Sequence, residues 1–184
     1  SDDVIYNKIG TNVKLYDLMY NMITLSSNLA TNVLIEMVDA KKVTQTMRDL
    51  GADKIEVLRG VEDIKAYELG LSNSTTANDL LAIMESIATV KAGTEEDCKV
   101  MLDILKDQYW NDMIPKYLPE NTVVAHKTGS ITGVHHDAAI VYLPNGKSYI
   151  LILLSKKLKD WDKGTDQLAK LSKLVYDHMI KDID

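Results

Sequence analysis

The chain has 184 residues, 46% of them hydrophobic, which is enough for one domain with a packed core and too few for two. Its formal net charge is −6, and 21 Lys and Arg are scattered among 27 Asp and Glu without a basic stripe, which argues against a nucleic-acid partner. No apolar run approaches the roughly 20 residues of a membrane span, the first residues lack the layout of a signal peptide, and the lone Cys98 provides neither a disulfide framework nor a thiol metal site.

Apolar side chains recur at helical spacing over 13–25 and again over 27–38, so two helices meet at Ser26, Ser27 and Asn28. A third helix is predicted over 40–50, stopped by Gly51. After an irregular stretch, Thr75 and Thr76 offer caps to an amphipathic helix carrying Leu80, Leu81, Met84 and Ile87. Thr94 and Asp97 then spell a capping box, with Glu95 and Glu96 in the first turn, where the helix dipole favours acids. Cys98 on that helix reads as a small core residue.

From 122 onward the period becomes extended. "TVVAHKTGS", "HDAAIVYLP" and "SYILILLSK" predict three antiparallel strands, the last two joined by the turn residues Pro144, Asn145 and Gly146. The final segment sets Leu168, Leu171, Leu174, Val175 and Met179 on one helix face, placed to cover the sheet. The expected fold class is therefore α/β, an α+β sandwich in a single domain over 1–184. A mainly helical part occupies 10–121, and the strands with their closing helix occupy 122–184.

Two short motifs carry chemistry. Lys127-Thr128-Gly129 lies on a strand, where burying a lysine is costly unless it meets an anion or a reacting group. Ser26-x-Asn28 lies at a helix junction, where the ordinary role of such residues is an N-cap. In this order, with a strand hairpin and a helix after them, they resemble the penicillin-recognising serine hydrolases. These are the class A β-lactamases and D,D-peptidases, with Ser-x-x-Lys, Ser-Asp-Asn and Lys-Thr-Gly motifs. "SSNLATNVLIE", Asn32 included, is similar to the second motif and its helix, and "HKTGSITGVHHDAAIVYLPNGKSYILILL" to the last three strands, with Asp137 opening the second of them. The resemblance covers about residues 10–182.

It implies a role for each matching residue. Ser26 would relay a proton to the departing nitrogen, and Asn28 would bond the substrate's side-chain amide. Lys127 would hold Ser26 and attract the substrate carboxylate, and Thr128 would donate a hydroxyl to that carboxylate. Gly129 would let the acyl group lie against the strand edge, and the backbone N–H of Ser130 would form half of an oxyanion hole. The implied ligands are β-lactams or peptidoglycan-type amides, no cofactor is expected, and the family acts in the periplasm or elsewhere outside the cytoplasm.

The sequence departs from the family in two places. No serine has a lysine three residues on, and Thr11-Asn12-Val13-Lys14 is the nearest spelling. The expectation is a C-terminal piece that follows the nucleophile helix and the first two strands of a five-stranded sheet. Alone, such a chain would be inactive. One sheet face and the hairpin edge would be uncovered, requiring a bound N-terminal part, a second chain or a homo-oligomer. The second departure is in the loop before Thr75, where class A enzymes place a glutamate that activates the deacylating water. Here Glu62, Asp63 and Glu68 are the carboxylates on offer, and each reads first as a surface group on a helix or turn.

His126, His135, His136 and Asp137 crowd one hairpin, yet neighbouring strand residues face opposite ways, so a zinc site is disfavoured. His126 is expected to face away from the site, and His178 to sit near the end of the last helix. Tyr109 and Trp110 read as a cap over the core or as a substrate wall. Two functional classes remain open: a serine acyl-transfer enzyme once complete, and a non-catalytic relative that binds a carboxylate-bearing peptidoglycan or β-lactam ligand.

Overall fold

The computed structural model describes residues 3–181. A single turn, α1 (Asp3–Tyr6), precedes α2 (Leu15–Thr24), α3 (Asn28–Val38) and α4 (Ala40–Asp49). Ile5, Leu18 and Ala30 form the buried centre of this corner, with Val13, Met22, Leu29, Val33 and Leu34 packed around them. All of them except Ile5 belong to the apolar stripes that the helical spacing predicts, so those stripes face inward as hydrophobic burial requires.

The stretch expected to be irregular contains one short helix, α5 (Ile64–Glu68), capped by the Asp63 side chain, which accepts from Ala66 N at 3.0 Å. Around it, polar side chains bond to backbone. Asn73 Oδ1 accepts from Leu58 N at 2.8 Å and Arg59 N at 3.1 Å, and a lone bridge joins Glu56 to Ser74. A loop closed this way leaves no hydrophobic period to read.

The next two helices, α6 (Ala77–Ala88) and α7 (Glu95–Lys106), each open with a capping box, Thr76 with Asp79 and Thr94 with Asp97. The antiparallel sheet follows in the order β1 (Val124–Ile131), β2 (Val134–Tyr142), β3 (Ser148–Leu154). In the β1–β2 ladder Thr128 stands opposite Asp137 and Ser130 opposite His135. Gly133 takes the left-handed φ of 70° that the tight β1–β2 turn demands. α8 (Trp161–Lys181) closes the fold and begins earlier than its apolar spacing indicates. Asp160 supplies the reason, because its side chain accepts from Lys163 N at 3.0 Å and its carbonyl from Gly164 N at 3.0 Å.

Strand alternation sorts the sheet into two faces. Val124, Ala139, Val141 and Leu153 pack with Met113 and Ile114 beneath α8, through Tyr176, Leu168 and Met179. Ala125, Ala138 and Ile140 pack with Met84, Ile87 and Leu105 of α6 and α7. The layered α+β architecture is the expected one, and it corrects one expectation: both sheet faces carry helices. The open surface lies instead along β3, which among the described residues pairs only with β2, and at Leu171 and Leu174, exposed on α8. No helix among the described residues is long and apolar enough to cross a membrane.

The two capping boxes differ in burial, and this gives a test. Asp79 is 3% exposed; besides both groups of Thr76 it accepts from Lys54 N at 2.9 Å, whereas Asp97 is exposed and serves Thr94 alone. Chemical denaturation should show Asp79→Ala costing about 2–3 kcal/mol and Asp97→Ala about 1 kcal/mol or less. Equal losses would contradict the burial-dependent reading.

Candidate functional site

The junction of α2 and α3 is built by two adjacent serines with different duties. Ser27 is the N-cap: its Oγ accepts from Ala30 N at 3.2 Å, and the residue is fully buried. Ser26 therefore has no capping role. It sits at φ 55°, a left-handed conformation costing a serine about 1 kcal/mol or more, and its hydroxyl turns toward the sheet. Asn28 opens α3 beside it and lines the same pocket.

β1 supplies the other half. Lys127 lies on the sheet face toward the helical body, the face of its neighbour Ala138 across the ladder. Its Nζ donates to Ser26 Oγ and to Thr128 O, the latter at 2.6 Å. Burial pushes the Lys127 ammonium down to about 8, with the Asp137 carboxylate pulling the other way. An ammonium so placed donates to a hydroxyl, attracts an anion, and gives up its proton more readily than a surface lysine.

Thr128, Gly129 and Ser130 continue along β1 into the same pocket, a cleft of about 710 Å³. A Cβ on Gly129 would meet no protein atom within 4 Å, so packing does not demand glycine there. A side chain would project into the space that an occupant needs. All six candidate residues from the two motifs thus line one cleft.

Two ties hold the halves in register. Gln108, 4% exposed, donates from Nε2 to Ile23 O at 2.8 Å and to His126 O at 3.5 Å, bridging the end of α2 to the backbone next to Lys127. Beneath the site, His126 and Asp137 form a pair that is 1% and 0% exposed, with Nδ1 to Oδ1 at 2.9 Å. The other Asp137 oxygen accepts from Ile114 N at 3.0 Å. Asn111 donates its amide to the carbonyls of Gln108 and Tyr109 at 3.0 and 3.1 Å, which leaves its oxygen to accept from His126 Nε2 at 3.2 Å. Both ring nitrogens of His126 are thus held by oxygen partners. His126 faces away from the cleft, as expected, and fastens the 107–118 loop to the strand.

The loop after α4 contributes Val61. Asn32 holds it from both sides, accepting from Val61 N at 2.6 Å and donating to Val61 O at 3.0 Å, and Val61 lines the cleft. Gly60 is required here, because a Cβ would stand 2.7 Å from Asn32 Oδ1. Glu62, at φ 62°, is exposed and turns into a separate, smaller cleft with Glu36 and Asp63. Glu68 is exposed on α5 and lines neither cleft.

His135 lines the main cleft, stacks on Trp161 at 4.3 Å between ring centroids and bonds through Nδ1 to Thr165 Oγ1 at 2.8 Å. His136 accepts on Nδ1 from Ser155 N at 3.1 Å. The two are separately engaged, and among the described residues no three His, Cys, Asp or Glu side chains are grouped to hold a metal. Trp110 lines the cleft, while Tyr109 is 66% exposed and absent from its wall. Cys98 is buried, and His178 lies in the last turn of α8.

Residues 2–179 match the family model of the Beta-lactamase enzyme family. A beta-lactamase of Bacteroides uniformis is 25% identical over 186 residues, covering 91% of this chain and 60% of its own length. Among solved structures, PBP-A aligns with a TM-score of 0.87 at 27% identity, over 97% of this chain and 66% of its own. A variant of PBP-A, solved as an acyl-enzyme complex with penicillin G, aligns with a TM-score of 0.83 at 27% identity, over 92% of this chain and 62% of its own. The chain spans about 60% of the length of the curated relative.

The depressed ammonium makes a pH prediction with a definite sign. Protonated Lys127 is disfavoured in the fold, so the destabilisation is full below pH 8 and fades as pH rises toward the ordinary 10.5, where the unfolded chain also loses the proton. Lys127→Met should therefore be more stable than the parent at pH 7, by about 1 kcal/mol or more. Thermal melts should show the gap closing between pH 8 and 10; a gap that stays constant would contradict the assignment.

Proposed function

The chain belongs to the Beta-lactamase enzyme family, and from that premise we propose that it forms the proton-delivering and carboxylate-binding side of a serine acyl-transfer site for β-lactams or peptidoglycan-type amides. The observation that carries this reading is the Lys127 Nζ donating to Ser26 Oγ inside the cleft.

In this mechanism a serine from a Ser-x-x-Lys segment of the complete protein attacks the amide carbonyl. The C–N bond breaks as the Ser26 hydroxyl passes a proton to the departing nitrogen. Lys127 holds Ser26 in line and, with the Thr128 hydroxyl, draws the substrate carboxylate to β1. The Ser130 N–H stabilises the developing oxyanion, Asn28 bonds the substrate's side-chain amide, and Gly129 leaves room for it along the strand. No serine of this chain begins a Ser-x-x-Lys, so the chain alone is inactive. The unpaired edge of β3 and the exposed Leu171 and Leu174 are where the rest of the protein packs. The complete protein acts outside the cytoplasm, as the resemblance implies.

Release of the acyl group is slow. The loop places the apolar Val61 in the cleft, and neither Glu62 nor Glu68 reaches it to activate a water. The site is therefore suited to forming a lasting acyl-enzyme more than to rapid turnover.

A second reading is a non-catalytic relative that uses the same cleft to bind a carboxylate-bearing ligand, and a complete protein without a Ser-x-x-Lys would favour it. Incubating the complete protein with a fluorescent penicillin separates the two. A covalent adduct in the mass spectrum supports the enzyme, and reversible binding without an adduct supports the binder. In the enzyme, Ser26→Ala should slow adduct formation about 100-fold or more, and Val61→Glu should speed adduct release about tenfold or more.

A further inference from the structure

We propose that His135 is a further substrate-binding residue, whose Nε2, together with the Thr128 and Ser130 hydroxyls, holds the carboxylate of the ligand and sorts carboxylate-bearing amides from neutral ones. This rests on the acyl-transfer reading above and deepens it by naming the ring that reads the substrate's charge.

The backbone places that ring. His135 N donates to Ser155 Oγ at 3.1 Å, and His135 O accepts from the same hydroxyl at 2.6 Å, so both backbone groups of His135 are used on the side away from β1. Ser130, opposite it, is therefore a non-hydrogen-bonded partner in the ladder, the kind whose side chains stand closest. The Ser130 N–H is left for the outer edge of β1, where the acyl-transfer reading puts the oxyanion, while its side chain stands off the sheet face beside the His135 ring. Thr128, two residues along β1 and opposite Asp137, projects from that same face, so it is the diagonal neighbour of His135 and within reach of a long side chain. An anion held by the Thr128 hydroxyl thus lies next to the ring. All three residues line the cleft.

The ring is buried, and one of its nitrogens is unused. His135 is 3% exposed. Its Nδ1 bonds to Thr165 Oγ1 at 2.8 Å and its face stacks on Trp161, with 17° between the ring planes, so α8 takes one edge and one face. Among the described residues Nε2 has no hydrogen-bond partner, and it is not sealed in either, because the Tyr149 hydroxyl is the one fully buried side-chain polar atom there without a partner. Nε2 therefore opens on the cleft that His135 lines. The hydroxyls of Thr128, itself 8% exposed, and of Ser130 likewise bond to no group among the described residues. Three unengaged polar groups on one wall of a cleft suit a polar occupant.

The chemistry of the set selects an anion. Thr165 Oγ1 makes no other bond, and a buried hydroxyl hydrogen without an acceptor is costly, so that hydrogen goes to Nδ1 and the ring's own hydrogen sits on Nε2. Burial pushes the His135 imidazole below its ordinary value, with the Asp112 and Asp137 charges pulling the other way and His136 adding to the fall, so the ring is a neutral donor. Thr128 and Ser130 add two O–H donors, and Lys127 adds positive charge in the same cleft. A carboxylate accepts from several such donors at once, and an ester in its place lacks the charge that makes these bonds strong.

Benzylpenicillin and its uncharged methyl ester test this through the ratio of their second-order acylation rates with the complete protein. His135→Phe keeps an aromatic ring on Trp161 and removes Nε2, and the acid-to-ester ratio should fall about tenfold. His135→Gln restores an N–H donor and should bring the ratio back to within about threefold of the parent. An unfolded fraction lowers both rates equally, so the ratio reads only the folded protein. In the unsubstituted protein, benzylpenicillin should also shift the His135 Nε2 resonance in nitrogen NMR, and the ester should leave it in place. A ratio that His135→Phe leaves unchanged, a ratio that His135→Gln does not restore, or a resonance that the acid does not move overturns the role of His135 and leaves the acyl-transfer reading in place. Acylation by neither compound overturns that reading and the role of His135 with it.

Discussion

The structure depends on one contact between distant parts of the chain, the Lys127 ammonium donating to the Ser26 hydroxyl. Placing a lysine there is unfavourable by itself, since burial drives its proton affinity down to about 8. Placing a serine at φ 55° is a second unfavourable choice. Neither stabilises the fold, and both put a polar group at the wall of a cleft. Strain and desolvation coincide at one point, in a chain otherwise capped and packed by ordinary rules, and that point is the candidate site.

What holds that point is rigid and mostly buried. The sheet is clamped between α8 and the pair α6 and α7, which fixes the direction of Lys127 from β1. Ser27 caps α3 and so releases Ser26. Gln108 reaches from the end of α2 to the His126 carbonyl, and the pair of His126 and Asp137 ties the 107–118 loop down behind the strand. A displacement of about 1 Å between hydroxyl and ammonium would break the contact, which explains why supports are spent on both sides of it.

Much of this was legible in the sequence, for local reasons. Capping boxes at Thr76 and Thr94, the alternation of the three strands and the stripe on α8 are written within a few residues of where they act. Ser26, Asn28 and Lys127 to Ser130 could be picked out because their spelling resembles known motifs. The supports could not. Gln108 stands in a loop with no period, His126 and Asp137 become partners only through the β1–β2 register, and Val61 enters the cleft only because Asn32 grips its backbone. The expectation of a bare sheet face failed for the same reason, because which helix covers which face is set by packing between elements far apart in sequence.

The central claim, that Ser26 and Lys127 act as one unit on the bound substrate, is tested most directly by a double-mutant cycle on the penicillin acylation rate of the complete protein. The account predicts that adding Lys127→Ala to Ser26→Ala costs little beyond the larger single loss, a coupling of about 2 kcal/mol or more. Losses that simply multiply would show that the two side chains work independently and would contradict it.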